Sequence, residues 1–352
     1  MPVLINLLIM YKKRFLTLGV CALSGTILVV VLFALSSWIM RRGGGFIRKQ
    51  PSHLIVGTGF FKLTFPKPYF AGADSDQVFV TSWISRGRLY GLALKDRTID
   101  SILVKVPDTL RFSDAANVGI VSGQYLIGDG LKKQIAVGDL KDGNFAEILH
   151  SPFFTSWVAV NKEQVIVRTF NNKRDNILLQ LTSGEPKREF VLEHPGDAIF
   201  SADGQLLITP DRSKIIYTYH YFNRFEVLDA NLELLYSGKT IDTIAHPHIK
   251  TVEDKEHQLV TMAETPPFVN EQCAVDNQYL YVHSVIKADN ESENVFDHAT
   301  AIDVYSLNNG TYQFTLYVPD LEGMKMQDFT VANHHLVGLF DGYAYKFKLN
   351  FK

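Results

Sequence analysis

His246-Pro247-His248 and His257, nine residues further on, gather imidazoles in one stretch of a 352-residue chain, with Asp242 and Glu253 nearby. Histidines two apart share one side of an extended strand. With a carboxylate they can hold a divalent metal for lyase or hydrolase chemistry. His246, His248 and His257 are therefore the candidate ligands, although no HExxH spacing fixes a third position, and an ordered loop with exposed histidines accounts for the same residues. A second set is basic: Arg86, Lys132, Lys133, Arg174 and Arg224, with Tyr221 and His298, can hold an anionic ligand, because guanidinium grips carboxylate or phosphate through two parallel bonds. The segment from Lys287 to His298 carries Asp289, Glu291, Glu293 and Asp297 but lacks EF-hand spacing, and reads as a flexible acidic loop. No cofactor is expected, since a Walker loop, a Rossmann glycine fingerprint and a GxSxG elbow are all missing.

The elements that must position these residues are strands. Beyond Pro51, runs of four to eight residues alternate apolar and polar and end at Gly, Asn, Asp or Pro. One pattern recurs from Leu89, Ile135, Ile177, Phe225, Ile302 and Tyr343, at intervals of 46, 42, 48, 77 and 41 residues. Four of those intervals match a four-stranded propeller blade, and the long one matches a blade plus an insertion near 241–267. Each copy reads as the third and fourth strands of a blade, bent at Lys95-Asp96, Asp142-Gly143, Ser183-Gly184, Asn231 or Asn309-Gly310. The last copy stops after its third strand, while 53–65 is a β-rich stretch with no blade of its own. The expectation is an all-β, six-bladed β-propeller over 51–352, closed by its N-terminal strand.

In that fold the loops between second and third strands converge on one face with the connections between blades. They contain Arg86, Lys132, Lys133, Arg174, Tyr221, Arg224 and His298. The turns between third and fourth strands carry Asp96, Asp142, Glu185, Asp229 and Glu233 on the other face. The two ends should thus differ in potential, a basic mouth against a more acidic base. Solvated loop charges produce the same pattern without a ligand.

Residues 1–50 form a separate leader. Phe15 to Met40 are 26 residues without a charge, between Lys12-Lys13-Arg14 and Arg41-Arg42. As a helix they would span roughly 39 Å, enough to cross a bilayer core of about 30 Å. The expectation is one membrane-spanning helix over about 15–40 with the N-terminus inside, and cleavage as a signal peptide is the alternative. A net charge of -2 and two cysteines far apart argue against a bulk nucleic-acid binder and a disulfide framework.

The stretch "IDVYSLNNGTYQFTLYVPDLEGMKMQDFTVANHHLVGLFDGYAYKFKL" resembles the TolB-like six-bladed propellers of Bacteroidetes, which are similar in build to NHL-repeat propellers. The resemblance covers roughly 53–352 and implies an exported, envelope-associated protein, commonly with a lipid-attachment cysteine that this chain replaces by its apolar run. The resulting expectation is a binding or protein-interaction module. It would be held at a bacterial cytoplasmic membrane with the propeller facing the periplasm or exterior, taking a protein, peptide or polymer ligand and no nucleic acid. The alternative is an envelope lyase or hydrolase using the histidine site.

Overall fold

Alternation decides where each side chain goes. In the strand Gln77–Ser82, Val78 and Val80 pack toward one neighbouring sheet with Leu92, Val337 and Leu339, while Phe79 packs toward the other with Leu89, Ile120 and Ile127. The strand Lys214–Tyr219 repeats this: Ile215 and Tyr217 face one side and Ile216 the other. A sheet buried on both faces needs apolar residues at odd and even positions, so its middle strands read as near-continuous apolar runs. Outer strands such as Glu185–Val191 remain mostly exposed.

The computed structural model describes residues 44–351 apart from 75, 86, 197–199, 248 and 255–258, together with 14, 17, 19–21 and 23–32. Six four-stranded antiparallel sheets form the blades of a propeller. Blades 1 to 6 begin with the inner strands Pro68–Ala73, Asn117–Val121, Ser156–Ala159, Gly204–Ile208, Asn270–Val275 and Asp328–Ala332. Six apolar clusters fill the six interfaces between consecutive blades, including the one between blades 6 and 1. The core is therefore a ring of shared interfaces.

The expected closure is present. Ile55–Lys62 pairs antiparallel with Tyr343–Leu349 as the outermost strand of blade 6, in a register that sets Phe61 opposite Ala344. The third-to-fourth-strand bends fall where the sequence puts them in blades 2, 3 and 5, with positive φ at Gly143, Ser183, Gly184 and Gly310, but in blades 1 and 4 it is Arg97 and Leu232, one residue past Asp96 and Asn231, that take it. The insertion contains a hairpin of Thr251–Asp254 with Leu259–Met262.

Two expectations change. The acidic stretch 287–298 is ordered, ending in a helix, Glu293–His298, capped by Ser292. Its order comes from the segment Gly44–Gln50, which straps it down. The main chain of Gly44 donates to Lys287 O at 2.9 Å, Asp289 N donates to Phe46 O at 2.8 Å, and Arg48 exchanges bonds with the Asn290 side chain. The Arg48 guanidinium, buried, donates to both carboxylate oxygens of Asp303, at 2.9 and 3.1 Å, and to Glu291 at 2.6 Å. Burial opposes its charge, but Asp303 and Glu291 outweigh that and raise its pKa above the usual value. Further along, Thr315 N donates to Lys49 O, and Gln50 bonds Tyr317.

The second change concerns the leader. The described residues between 14 and 32 are helical and exposed, and among the described residues no helix is long and apolar enough to cross a membrane. The rest of the expected span, including 33–40, lies outside the described residues.

Candidate functional site in the central channel

Each inner strand is hydrogen-bonded to a partner on one side only, so its other edge faces the central channel. There the six blades leave a cavity of about 900 Å³, a size suited to a small ligand or a peptide segment. Its wall combines inner-strand backbone with Phe70, Trp157, Leu207 and Cys273. Its rim is built from the turns between first and second strands, with Asp74, Asp211, Asp276 and His334 among them. The cavity therefore reaches the turn face, opposite the face where the basic residues are expected to form a mouth, and runs back along the inner strands as far as Asn117, Trp157 and Asp328.

Arg212 is the one lysine or arginine among the described lining residues. It belongs to the first turn of blade 4, where it adopts φ +61, a conformation uncommon outside glycine and asparagine. The side chain reaches across to blades 2 and 3: it donates to Ile120 O and Ala159 O, both at 3.1 Å. Two carbonyls hold the group in place without neutralising it. Burial lowers its pKa, yet a guanidinium stays charged at neutral pH. With five N–H donors on the group, others remain for a ligand.

The acids around the rim are already engaged. Asp211 accepts from Thr209 Oγ1 and Ser213. Asp276 accepts from Gln278 N, Tyr279 N and the Tyr281 hydroxyl, each at 2.7 Å. These bonds make turns; they do not remove the negative charge of the rim. Deeper in the wall, Asp328 accepts from Phe329 N at 2.8 Å, and burial pushes its carboxyl up to about 7. Cys273 is buried, and desolvation pushes its thiol up to about 12, so it packs as an apolar group.

The residues singled out in the sequence lie elsewhere. Arg86, His248 and His257 fall outside the described residues. Lys132 and Lys133 sit exposed in the second-to-third turn of blade 2, and Arg174 in that of blade 3. Arg224 is ion-paired with Glu226 at 2.6 Å and with Glu193, and so is partly neutralised. Tyr221 is buried and stacks on Phe268 at 5.5 Å. His298 ends the helix of blade 5, and His246 is exposed in the insertion. None of those among the described residues lines the cavity. Asp242, beside the histidines, is buried and accepts from Thr240 and Ile244 N, so it orders the insertion. Among the described residues, no three His, Cys, Asp or Glu side chains form a group able to hold a metal.

No protein-family model matches the chain, and no curated protein matches its sequence. Among solved structures it is similar to the β-propeller domain of Cps50 (Swd1) from Myceliophteria thermophila, with 13% identity over 84% of this chain and 100% of that one, at a TM-score of 0.42. It is similar also to a streptogramin B lyase, with 14% identity over 84% and 98% of the two chains and a TM-score of 0.47. The WD40 domain of Neurospora crassa Pan2 matches with 8% identity over 87% and 98%, at 0.44. These are β-propellers, as this chain is; the strand pairing establishes the fold here, and nothing about activity passes across at such distances.

Proposed function

We propose that the chain is a non-catalytic binding propeller, held at a membrane by its N-terminal apolar run with the propeller on the periplasmic or outer side, and that its channel takes a peptide segment. One observation carries the ligand reading: Arg212 places a cation in the channel wall, held by two carbonyls and by no carboxylate among the described residues. Along the channel-facing edges of the inner strands, Ile120 O, Ala159 O, Val118 N and both main-chain groups of Cys273 are bonded by side chains, and the remaining main-chain groups can meet an extended chain. A carboxylate on that chain would complete the guanidinium. Because Asp74, Asp211 and Asp276 make the rim negative, a polyanion is disfavoured. The ligand that suits both charges is a peptide with a free C-terminal carboxylate and basic or neutral side chains behind it. This replaces the expected binding of an anion at the opposite face.

The test is calorimetric titration of the full chain with short basic peptides, each prepared with a free and an amidated C-terminus. Free-carboxyl peptides should bind at least tenfold more tightly, and Arg212→Gln should abolish the difference. Equal affinity for both forms, or a preference that survives in Arg212→Gln, would defeat the proposal.

A further inference from the structure

The loop face, opposite the cavity mouth, carries apolar side chains that no blade buries. In an antiparallel four-stranded blade the second-to-third turns all lie at one end. From three of these turns and their edges Trp83, Ile84, Leu131 and Phe170 present themselves at 42%, 66%, 60% and 38% exposure. The two aromatics are braced: Trp83 stacks on Tyr69 at 4.2 Å, and Phe170 stacks with Phe153 at 6.5 Å. Exposed apolar groups gathered on one face and braced in place mark an interaction surface.

Cations accompany them. Lys132 and Lys133 follow Leu131 directly, Arg174 lies in the equivalent turn of the next blade, and the carbonyl of Lys67 accepts from Trp83 N at 3.1 Å. All four are exposed, and none is in an ion pair among the described residues. An aromatic and aliphatic fringe set among lysine and arginine is the composition that settles at the headgroup level of an anionic bilayer.

The strap supplies the geometry. Gly44 is pinned to Lys287 O, in the second-to-third loop of blade 5, so the chain leaves the propeller from this same face. Ile47, next in the strap, is 68% exposed. The uncharged run ends at Met40, and four residues reach at most about 14 Å even when fully extended. If Phe15 to Met40 crosses a bilayer, the loop face cannot stand far from the headgroups.

We infer that the loop face docks on an anionic phospholipid surface, with Trp83, Ile84, Leu131 and Phe170 at the headgroup level and Lys67, Lys132, Lys133 and Arg174 against lipid phosphates. This rests on the membrane anchoring proposed above. It turns the cavity mouth and Arg212 away from the bilayer, toward solvent where a peptide can enter.

The three tryptophans separate the two claims. Trp38 lies in the apolar run, Trp83 on the loop face, and Trp157 in the channel wall. The full chain is reconstituted into vesicles of bromine-labelled phosphatidylcholine, with and without phosphatidylglycerol, and tryptophan emission is read. Quenching that is present in Trp83→Phe and lost on adding Trp38→Phe reports the anchor alone. The Trp38→Phe variant should still be quenched, more strongly with phosphatidylglycerol and less at high salt. Trp38→Phe/Trp83→Phe, which keeps only Trp157, packed inside the wall against Gly119 and Gly128, should be quenched at least twofold less than Trp38→Phe. Lys132→Glu/Lys133→Glu in the Trp38→Phe background should reduce the quenching at least twofold. If Trp38 is quenched but Trp83 is not, the anchor stands and docking is overturned, leaving the face to a protein partner or a second copy.

Discussion

At the scale of single residues, the structure reassigns the important charges. Asp328 would read in the sequence as one more strand-edge carboxylate, yet it sits half-buried in the channel wall, where desolvation pushes its carboxyl up to about 7. A carboxyl whose pKa is raised on folding binds its proton more tightly in the folded state. Its stabilising contribution is complete below the unfolded value of about 3.9 and is lost as pH rises through about 7. Asp328→Asn should therefore match the parent near pH 4 and be more stable at pH 8, as measured by urea midpoints across that range. A gap that does not change with pH would contradict the assignment. Arg48 is the opposite case, a charge that must remain. Arg48→Met would strand Glu291 and Asp303 in a buried setting, and removing one partner of a buried ion pair costs about 3–5 kcal/mol. Adding Asp303→Asn should recover part of that loss in the same denaturation measurement.

At the scale of elements, periodicity made most of the architecture legible and contact across the chain hid the rest. Val78, Phe79 and Val80 alternate because two neighbouring blades each claim one face, and that constraint acts on adjacent residues where a reader can see it. The missing strand of the last copy was legible for the same reason, since a blade short of its outer strand exposes an edge. Deleting 53–65 should remove the pairing of Ile55–Lys62 with Tyr343–Leu349 and lower the thermal midpoint of the whole ring by more than 10 °C, by scanning calorimetry, the scale expected for several kcal/mol in a domain this large. An unchanged midpoint would show that the closure is dispensable. By contrast, the order of 287–298 was invisible, because the cation that organises Glu291 lies 243 residues earlier in the chain. Arg212 was hidden differently. Pro210-Asp211-Arg212-Ser213 is ordinary turn composition, and its arginine gains meaning only when six inner strands converge to enclose it. Charge and histidines stand out in the second-to-third loops and the insertion, whereas the cavity is lined by first-to-second turns of ordinary composition.

At the scale of the molecule, the strap and the exposed apolar side chains lie at the same end of the ring. Gly44 is held on the face that carries Trp83 and Leu131, so in the membrane-anchored arrangement proposed above Arg212 and the rim formed by Asp74 and Asp276 would point away from the bilayer. A binding propeller that samples the space outside the cytoplasm must then expose this rim to the exterior. Gln278, exposed in the rim turn of blade 5, is suited to reporting it. The Cys273 thiol, buried and raised to about 12, stays silent toward maleimides, and Cys21→Ser removes the other cysteine. Gln278→Cys in that background should react with a membrane-impermeant maleimide on intact spheroplasts as completely as after detergent. Labelling that appears only after permeabilisation would put the propeller in the cytoplasm, and the peptide ligand would then have to be sought there.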